Sequence, residues 1–125
     1  MNIHESAEDY LEKILMLQEQ KGAVRSIDIA VAMGYSKPSV SVAMKNLREN
    51  GYISVDGDGF IHLEAPGLAI ARRIYDRHRK LTAFFVALGV DPDTAAHDAC
   101  KIEHDLSDET YQKMIAFAER EAGKA

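Results

Sequence analysis

Two short segments, Tyr52-Ile53-Ser54-Val55 and Phe60-Ile61-His62-Leu63, follow a period of 2 on either side of Asp56-Gly57-Asp58-Gly59. Asp-Gly steps between such runs are a strong hairpin signal, because a tight turn needs residues that tolerate a left-handed backbone. Elsewhere the apolar positions recur at helical spacing. Upstream, Tyr10, Leu11, Ile14, Leu15 and Leu17 form one stripe, which Lys21-Gly22 ends. Ser26 is expected to cap a short helix carrying Ile29, Ala30 and Met33, which Gly34 stops. Ser36 caps a third helix, with Pro38 in its first turn and Val40, Ala43, Met44 and Leu47 on its buried face, and Gly51 closes it. Downstream, Pro66-Gly67 opens a long helix ending near Leu88-Gly89, and Asp91-Pro92 starts the next. Ser107 caps the last helix, where Leu106 and Tyr111 have the spacing of a hydrophobic staple.

Two short helices joined at Gly34 and followed by a hairpin have the order of a winged helix-turn-helix. The fold class is therefore mainly α: an N-terminal winged helix-turn-helix with a two-stranded wing over residues 1–65, then a C-terminal helical dimerisation domain over 66–125, with 66–88 as its linker helix. The second helix of such a motif enters the major groove of DNA. Its outward positions are Ser36, Lys37, Pro38, Ser39, Ser41, Val42, Lys45 and Arg48. Hydroxyls and cations suit phosphates and base edges, Val42 suits a thymine methyl, and the Ser36 and Ser39 amides suit a phosphate at a helix N-terminus.

The same pattern fits a small helical domain with an ordinary solvated face, and charge distinguishes the two readings. The whole chain carries −5, yet residues 21–80 hold ten basic and six acidic groups, net +4, while the flanks hold five basic and fourteen acidic, net −9. A basic middle between acidic ends favours DNA as the partner.

Other features narrow the setting. No apolar run approaches the roughly 18 residues of a membrane span, and Met1-Asn2-Ile3-His4-Glu5 lacks the basic and apolar regions of a signal peptide. A single cysteine, Cys100, cannot form an internal disulfide. A cytoplasmic location with no membrane partner is expected.

The acidic flanks contain chemistry of their own. Glu5, Glu8, Asp9 and Glu12 share one helix face, where like charges repel by roughly 0.2–0.5 kcal/mol per pair. Ser6 with Asp9 fits a capping box, but Glu12 lies a turn further in, and a bound cation would relieve the repulsion. Cys100, Glu103 and His104 have i, i+3, i+4 spacing, which brings a thiolate, a carboxylate and an imidazole to one face. All three are competent ligands for first-row metals, although Cys100 also reads as a small buried hydrophobe beside two surface polar residues. His97 lies one turn earlier. His78 sits on the apolar stripe Ile74, Leu81 and Phe85 of the long helix, where a histidine is more often a hydrogen-bonded core residue than a ligand.

With these residues assembled, the chain resembles the diphtheria-toxin-repressor family of metal-dependent transcriptional regulators, especially its short, manganese-regulator-like branch. The resemblance runs nearly end to end. It rests on Glu8-Asp9-Tyr10-Leu11-Glu12, on Arg77-His78-Arg79, and on Cys100-Lys101-Ile102-Glu103-His104 followed by Leu106-Ser107. It implies a homodimer that binds Fe²⁺ or Mn²⁺, occupies a palindromic operator in double-stranded DNA and represses metal-uptake genes. It also implies metal ligands at Asp9, Glu12, His78, Cys100, Glu103 and His104, and no catalytic residues. Asp9 is of the manganese type, whereas Cys100 is of the iron type. A thiolate favours Fe²⁺, Co²⁺, Ni²⁺ or Zn²⁺ over Mn²⁺, so Fe²⁺ is the expected ion, and Zn²⁺, Co²⁺ or Ni²⁺ are expected to substitute in vitro. Thr82 replaces an ancillary glutamate of the iron branch, and His97 with Glu8 or Asp98 is the way an ancillary site would be rebuilt. The SH3-like C-terminal domain of longer members is not expected in a chain ending at Ala125.

Dimerisation is also read from apolar surface. Ala95, Ala96, Ala99 and Ile102, with Phe84, Phe85, Tyr111, Met114, Ile115 and Phe117, exceed what a small unit hides alone. Two other classes stay open at this level: a metal-independent winged-helix regulator sensing an organic ligand, and a small metalloenzyme. The second lacks H-E-x-x-H, paired E-x-x-H motifs and a glycine-rich phosphate loop.

Overall fold

The computed structural model describes residues 5–123. The leading Met1–His4 segment, and with it most of the stretch expected to lack signal-peptide features, lies outside the described residues. The elements are α1 (Glu5–Lys21), α2 (Ser26–Met33), α3 (Lys37–Glu49), β1 (Ile53–Val55), β2 (Ile61–Leu63), α4 (Ala65–Ala87), α5 (Pro92–Ile102) and α6 (Asp108–Ala122). Among the described residues no helix is long and apolar enough to cross a membrane. The chain divides into two compact units between Arg73 and Ile74, inside α4.

The first unit is built as the periodicity requires. Leu11 and Ile14 of α1, Ile29 of α2, Val40 of α3 and Ile61 of β2 are among the residues of one buried cluster, which Ala71 of α4 joins. Strands β1 and β2 pair antiparallel with Ser54 opposite His62, and each is shorter than the four-residue runs in the sequence. The turn is held by Asp56, whose Oδ1 accepts the amides of Asp58 at 2.9 Å and Phe60 at 3.0 Å. The Ile61 amide donates to the Val24 carbonyl at 2.7 Å, so the segment entering α2 lies along the outer edge of β2. Gly67 in the first turn of α4 has no room for a side chain: a Cβ there would overlap the Tyr52 carbonyl and press on Leu11.

Two expected caps are corrected. The N-cap of α2 is Arg25, and Ser26 is already helical. The carboxylate that satisfies this helix start is Asp28, whose Oδ2 accepts the Arg25 amide at 2.9 Å. Helix α1 is helical from Glu5, which puts Ser6 inside its first turn and not at its cap.

In the second unit Leu81, Ala99, Tyr111 and Ile115 form the buried cluster, with Phe85, Ile102, Leu106 and Met114 packed against it. Leu106 and Tyr111 thus belong to one packed cluster, in line with the staple spacing. Asp91 Oδ2 accepts the amides of Asp93 and Thr94, and Ser107 Oγ accepts that of Thr110, so both expected caps form. Ala99, Tyr111 and Ile115, read from sequence as surplus apolar surface, are already buried in this core. Among the described residues the exposed large apolar side chains of the unit are Val86, Leu88 and Phe117.

Candidate metal centre and nucleic-acid interface

In the first unit, helical spacing places Glu8, Asp9 and Glu12 on one side of α1. Glu8 and Glu12 are 8% and 6% exposed, and Asp9 is half-buried. A carboxylate taken this far from water is stable only when paired, hydrogen-bonded or coordinating a cation. Arg73 supplies the partner for Glu8, its Nη2 donating to Oε2 at 2.8 Å. The repulsion read from four clustered acids is thus relieved in part by Arg73.

The second unit holds a group of ligand-type side chains of its own. Helix α5 ends at Ile102, so Glu103 is its C-cap and His104 lies in the following turn. The Glu103 amide still donates to the Ala99 carbonyl at 3.0 Å, which continues the helical path far enough to keep Glu103 beside Cys100. A Glu103 carboxylate oxygen lies within 4.8 Å of the exposed Cys100 Sγ. Glu103 itself is 0% exposed. Its Oε2 is 3.0 Å from His78 Nδ1, and its Oε1 is 3.5 Å from His104 Nε2. His78 is therefore turned toward the acid, and Thr82 Oγ1 donates to the His78 carbonyl at 2.6 Å one helical turn on.

Among the described residues Glu103 Oε1 accepts no hydrogen bond although it is buried. A buried carboxylate oxygen without a donor is unfavourable by roughly 1–3 kcal/mol, which a cation would offset. The neighbouring groups are imidazole nitrogens and a thiol sulfur, a mixed set that suits a first-row divalent metal. The donor set fits such an ion. His97 and Asp98 are exposed on α5, and Glu8 faces Arg73.

Arg77 was missed as a functional residue from sequence. It is 4% exposed, and its Nη1 donates to the carbonyls of Glu103 at 3.1 Å and Leu106 at 2.9 Å. Its Nη2 pairs with the Asp108 carboxylate, and its guanidinium lies 4.8 Å above the Tyr111 ring. The Tyr111 hydroxyl is pushed above its ordinary pKa by burial first and by Asp76 second.

The candidate nucleic-acid face belongs to the first unit. Ser36, Lys37, Pro38, Ser39, Ser41, Val42, Lys45 and Arg48 are all exposed, as the α3 periodicity requires, and Val42 is 61% exposed. One detail changes. The Ser39 amide donates to Ser36 Oγ at 3.3 Å, so it is engaged in capping α3 and is not a spare donor for a phosphate. Sequence reasoning did not place three neighbours, Arg25, Ser26 and Ile27, on this face. Ser26 and Ile27 share a cavity of about 150 Å³ with Lys37 and Ser41, where α2 and α3 begin. Arg25 stacks on Phe60, next to the wing turn, 4.3 Å from the ring centre.

Known proteins share this arrangement. Residues 2–60 match the family described as iron dependent repressor, N-terminal DNA binding domain, and residues 65–121 match iron dependent repressor, metal binding and dimerisation domain. The chain belongs to the iron-dependent repressor family, whose members are transcriptional regulators and not enzymes. An HTH-type transcriptional regulator of Methanocaldococcus jannaschii is 34% identical over 118 residues, covering 93% of this chain and 94% of the relative. The transcriptional regulator MntR of Escherichia coli is 32% identical over 120 residues, 96% of this chain and 77% of that protein. Among solved structures, the manganese regulator SloR superposes with a TM-score of 0.79 at 28% identity over 95% of this chain. The chain spans about half the length of that structure, 55%.

Proposed function

We propose that the chain acts as a homodimeric, cytoplasmic repressor whose binding to a palindromic operator depends on a divalent metal, and that it controls metal-uptake genes. The observation that carries the metal dependence is Glu103: a fully buried carboxylate, turned toward His78, with one oxygen that accepts no hydrogen bond among the described residues. Family membership supports the DNA and dimer parts of the reading.

In this reading residues 1–65 bind DNA and residues 66–125 bind metal and dimerise. Asp9 and Glu12 would be donors from the unit that carries the recognition helix α3. His78, Cys100, Glu103 and His104 would be donors from the other. A bound ion supplies positive charge that offsets the carboxylates and the Cys100 thiolate. Donors drawn from both units make the separation of the two recognition helices in a dimer depend on metal occupancy. A palindrome requires that separation to be about 34–36 Å, one turn of DNA. Metal and DNA then bind with reciprocal coupling, typically about 1–3 kcal/mol.

The thiolate favours Fe²⁺, with Zn²⁺, Co²⁺ or Ni²⁺ substituting in vitro. Mn²⁺ is the alternative, supported by the carboxylates and by SloR being a manganese regulator. Operator binding titrated with Fe²⁺ under anaerobic conditions and with Mn²⁺, at one fixed salt concentration, tests the reading. Fe²⁺ is expected to activate at the lower concentration, and chelator to abolish binding. Glu103→Ala is expected to lose the metal response altogether. A Glu103→Ala protein that still responds to metal like the parent places the ion elsewhere.

A further inference from the structure

We infer that Arg77 is a positioning residue for the metal donors: it holds the main chain of Glu103 while the adjacent His78 holds its carboxylate. The inference rests on the metal reading above and concerns only contacts inside the second unit. Two consecutive residues of α4 grip one residue of the loop after α5. Arg77 Nη1 donates to the Glu103 carbonyl at 3.1 Å, and His78 Nδ1 lies 3.0 Å from Glu103 Oε2. With backbone and carboxylate both fastened to the same helix, Glu103 has little freedom to turn away from Cys100 and His104.

The guanidinium suits this task for three reasons. The carbonyls at the end of α5 have no partner within the helix, and the helix dipole leaves them partially negative, so a cation is favoured there. The planar fork reaches Glu103, Leu106 and Asp108 at once, so the segment from 103 to 108 is pinned at three points while the guanidinium itself stacks on Tyr111. Finally, the Arg77 side chain is 5% exposed, which leaves solvent little share of its donors. A lysine has the charge but not the fork, and cannot reproduce the pattern.

Residues that orient metal ligands without touching the ion typically change affinity about 10–100-fold when replaced. The test uses the full chain with Arg77→Lys, Arg77→Met and Glu103→Ala. Mn²⁺ binding is read by the paramagnetic resonance of the free ion, the Co²⁺ complex by its thiolate-to-metal absorption, and folding by thermal melting without metal. Arg77→Lys is expected to melt cooperatively, yet to bind Mn²⁺ about 10–100-fold more weakly and to give an altered Co²⁺ spectrum. Should Arg77→Met fail to fold, Arg77→Lys decides the matter. The inference is overturned if Arg77→Lys binds Mn²⁺ like the parent with an unchanged Co²⁺ spectrum, or loses affinity only to the extent that melting shows it unfolded. Glu103→Ala separates the two readings. Loss of binding there, with Arg77→Lys like the parent, removes only the role of Arg77. Parent-like binding in Glu103→Ala overturns the metal reading and this inference with it.

Discussion

Asp28 does two jobs at the start of α2. Its Oδ2 accepts the Arg25 amide at 2.9 Å, and its Oδ1 receives Lys21 Nζ at 2.6 Å. The Lys21 hydrogen bond first, and the Arg25 amide second, hold the Asp28 carboxyl below its ordinary pKa. Asp56 in the wing turn is shifted the same way, by its hydrogen bond with His62 first and the Phe60 amide second. A carboxyl with a lower pKa in the folded than in the unfolded chain contributes stability that is fully present above the unfolded value. That stability is lost as pH falls through the folded value. Asp28→Asn is therefore expected to be less stable than the parent in urea unfolding at about pH 6.5, and the gap is expected to be smaller at about pH 3. An equal gap at both pH values would mean that the charge of Asp28 contributes nothing. Residues of this kind were legible in part. Glu12, Cys100, Glu103 and His104 announced themselves as clustered ligand types, and Pro92 after Asp91 as a helix start. Arg77 did not, because two of its partners are backbone carbonyls 26 and 29 positions away, and a carbonyl has no signature in sequence.

At the scale of elements, the punctuation was easier to read than the extents. Gly34, Gly51 and Gly89 all adopt positive φ at the turns where the sequence placed them, since only glycine enters that region without strain. The end of α5 was not legible in the same way. The spacing of residues 100, 103 and 104 is equally compatible with a continuing helix and with the single turn that follows Ile102, and no glycine or proline marks the change. Helix α3 matches its reading most closely, with Val40, Met44 and Leu47 buried and the opposite face exposed. That face carries Lys45, whose nearest acidic partner is Glu49 at 4.0 Å, a surface pair that holds it only loosely. Lys45→Ala is expected to weaken operator binding by a similar factor for every sequence, and to reduce the slope of log affinity against log salt by about 1. A loss confined to one base position would instead make Lys45 a reader of sequence.

The whole molecule shows why a net charge of −5 misleads. The charge is partitioned along the chain, with basic residues enriched where phosphate contact is proposed and acidic ones enriched in the flanks, where a cation site is proposed. Association was legible as an excess of apolar residues, but not which ones. Alanines and aromatics that looked surplus fill the core of the second unit, and the surface that remains is Val86 at 41%, Leu88 at 66% and Phe117 at 49% exposure. Leu88→Glu combined with Phe117→Glu is expected to shift the protein from dimer to monomer in light scattering, and to lose operator binding while keeping its helical content. A variant that remains dimeric would move the interface to another face. Dimerisation also makes the hairpin dangerous. A two-stranded sheet offers two open edges, and a dimer with an open edge on each protomer has what it needs to grow into a filament. Here the Val24 carbonyl occupies the outer edge of β2 at Ile61. The short segment before the recognition motif thus takes up one of the two edges along which the wing of one protomer could pair with another.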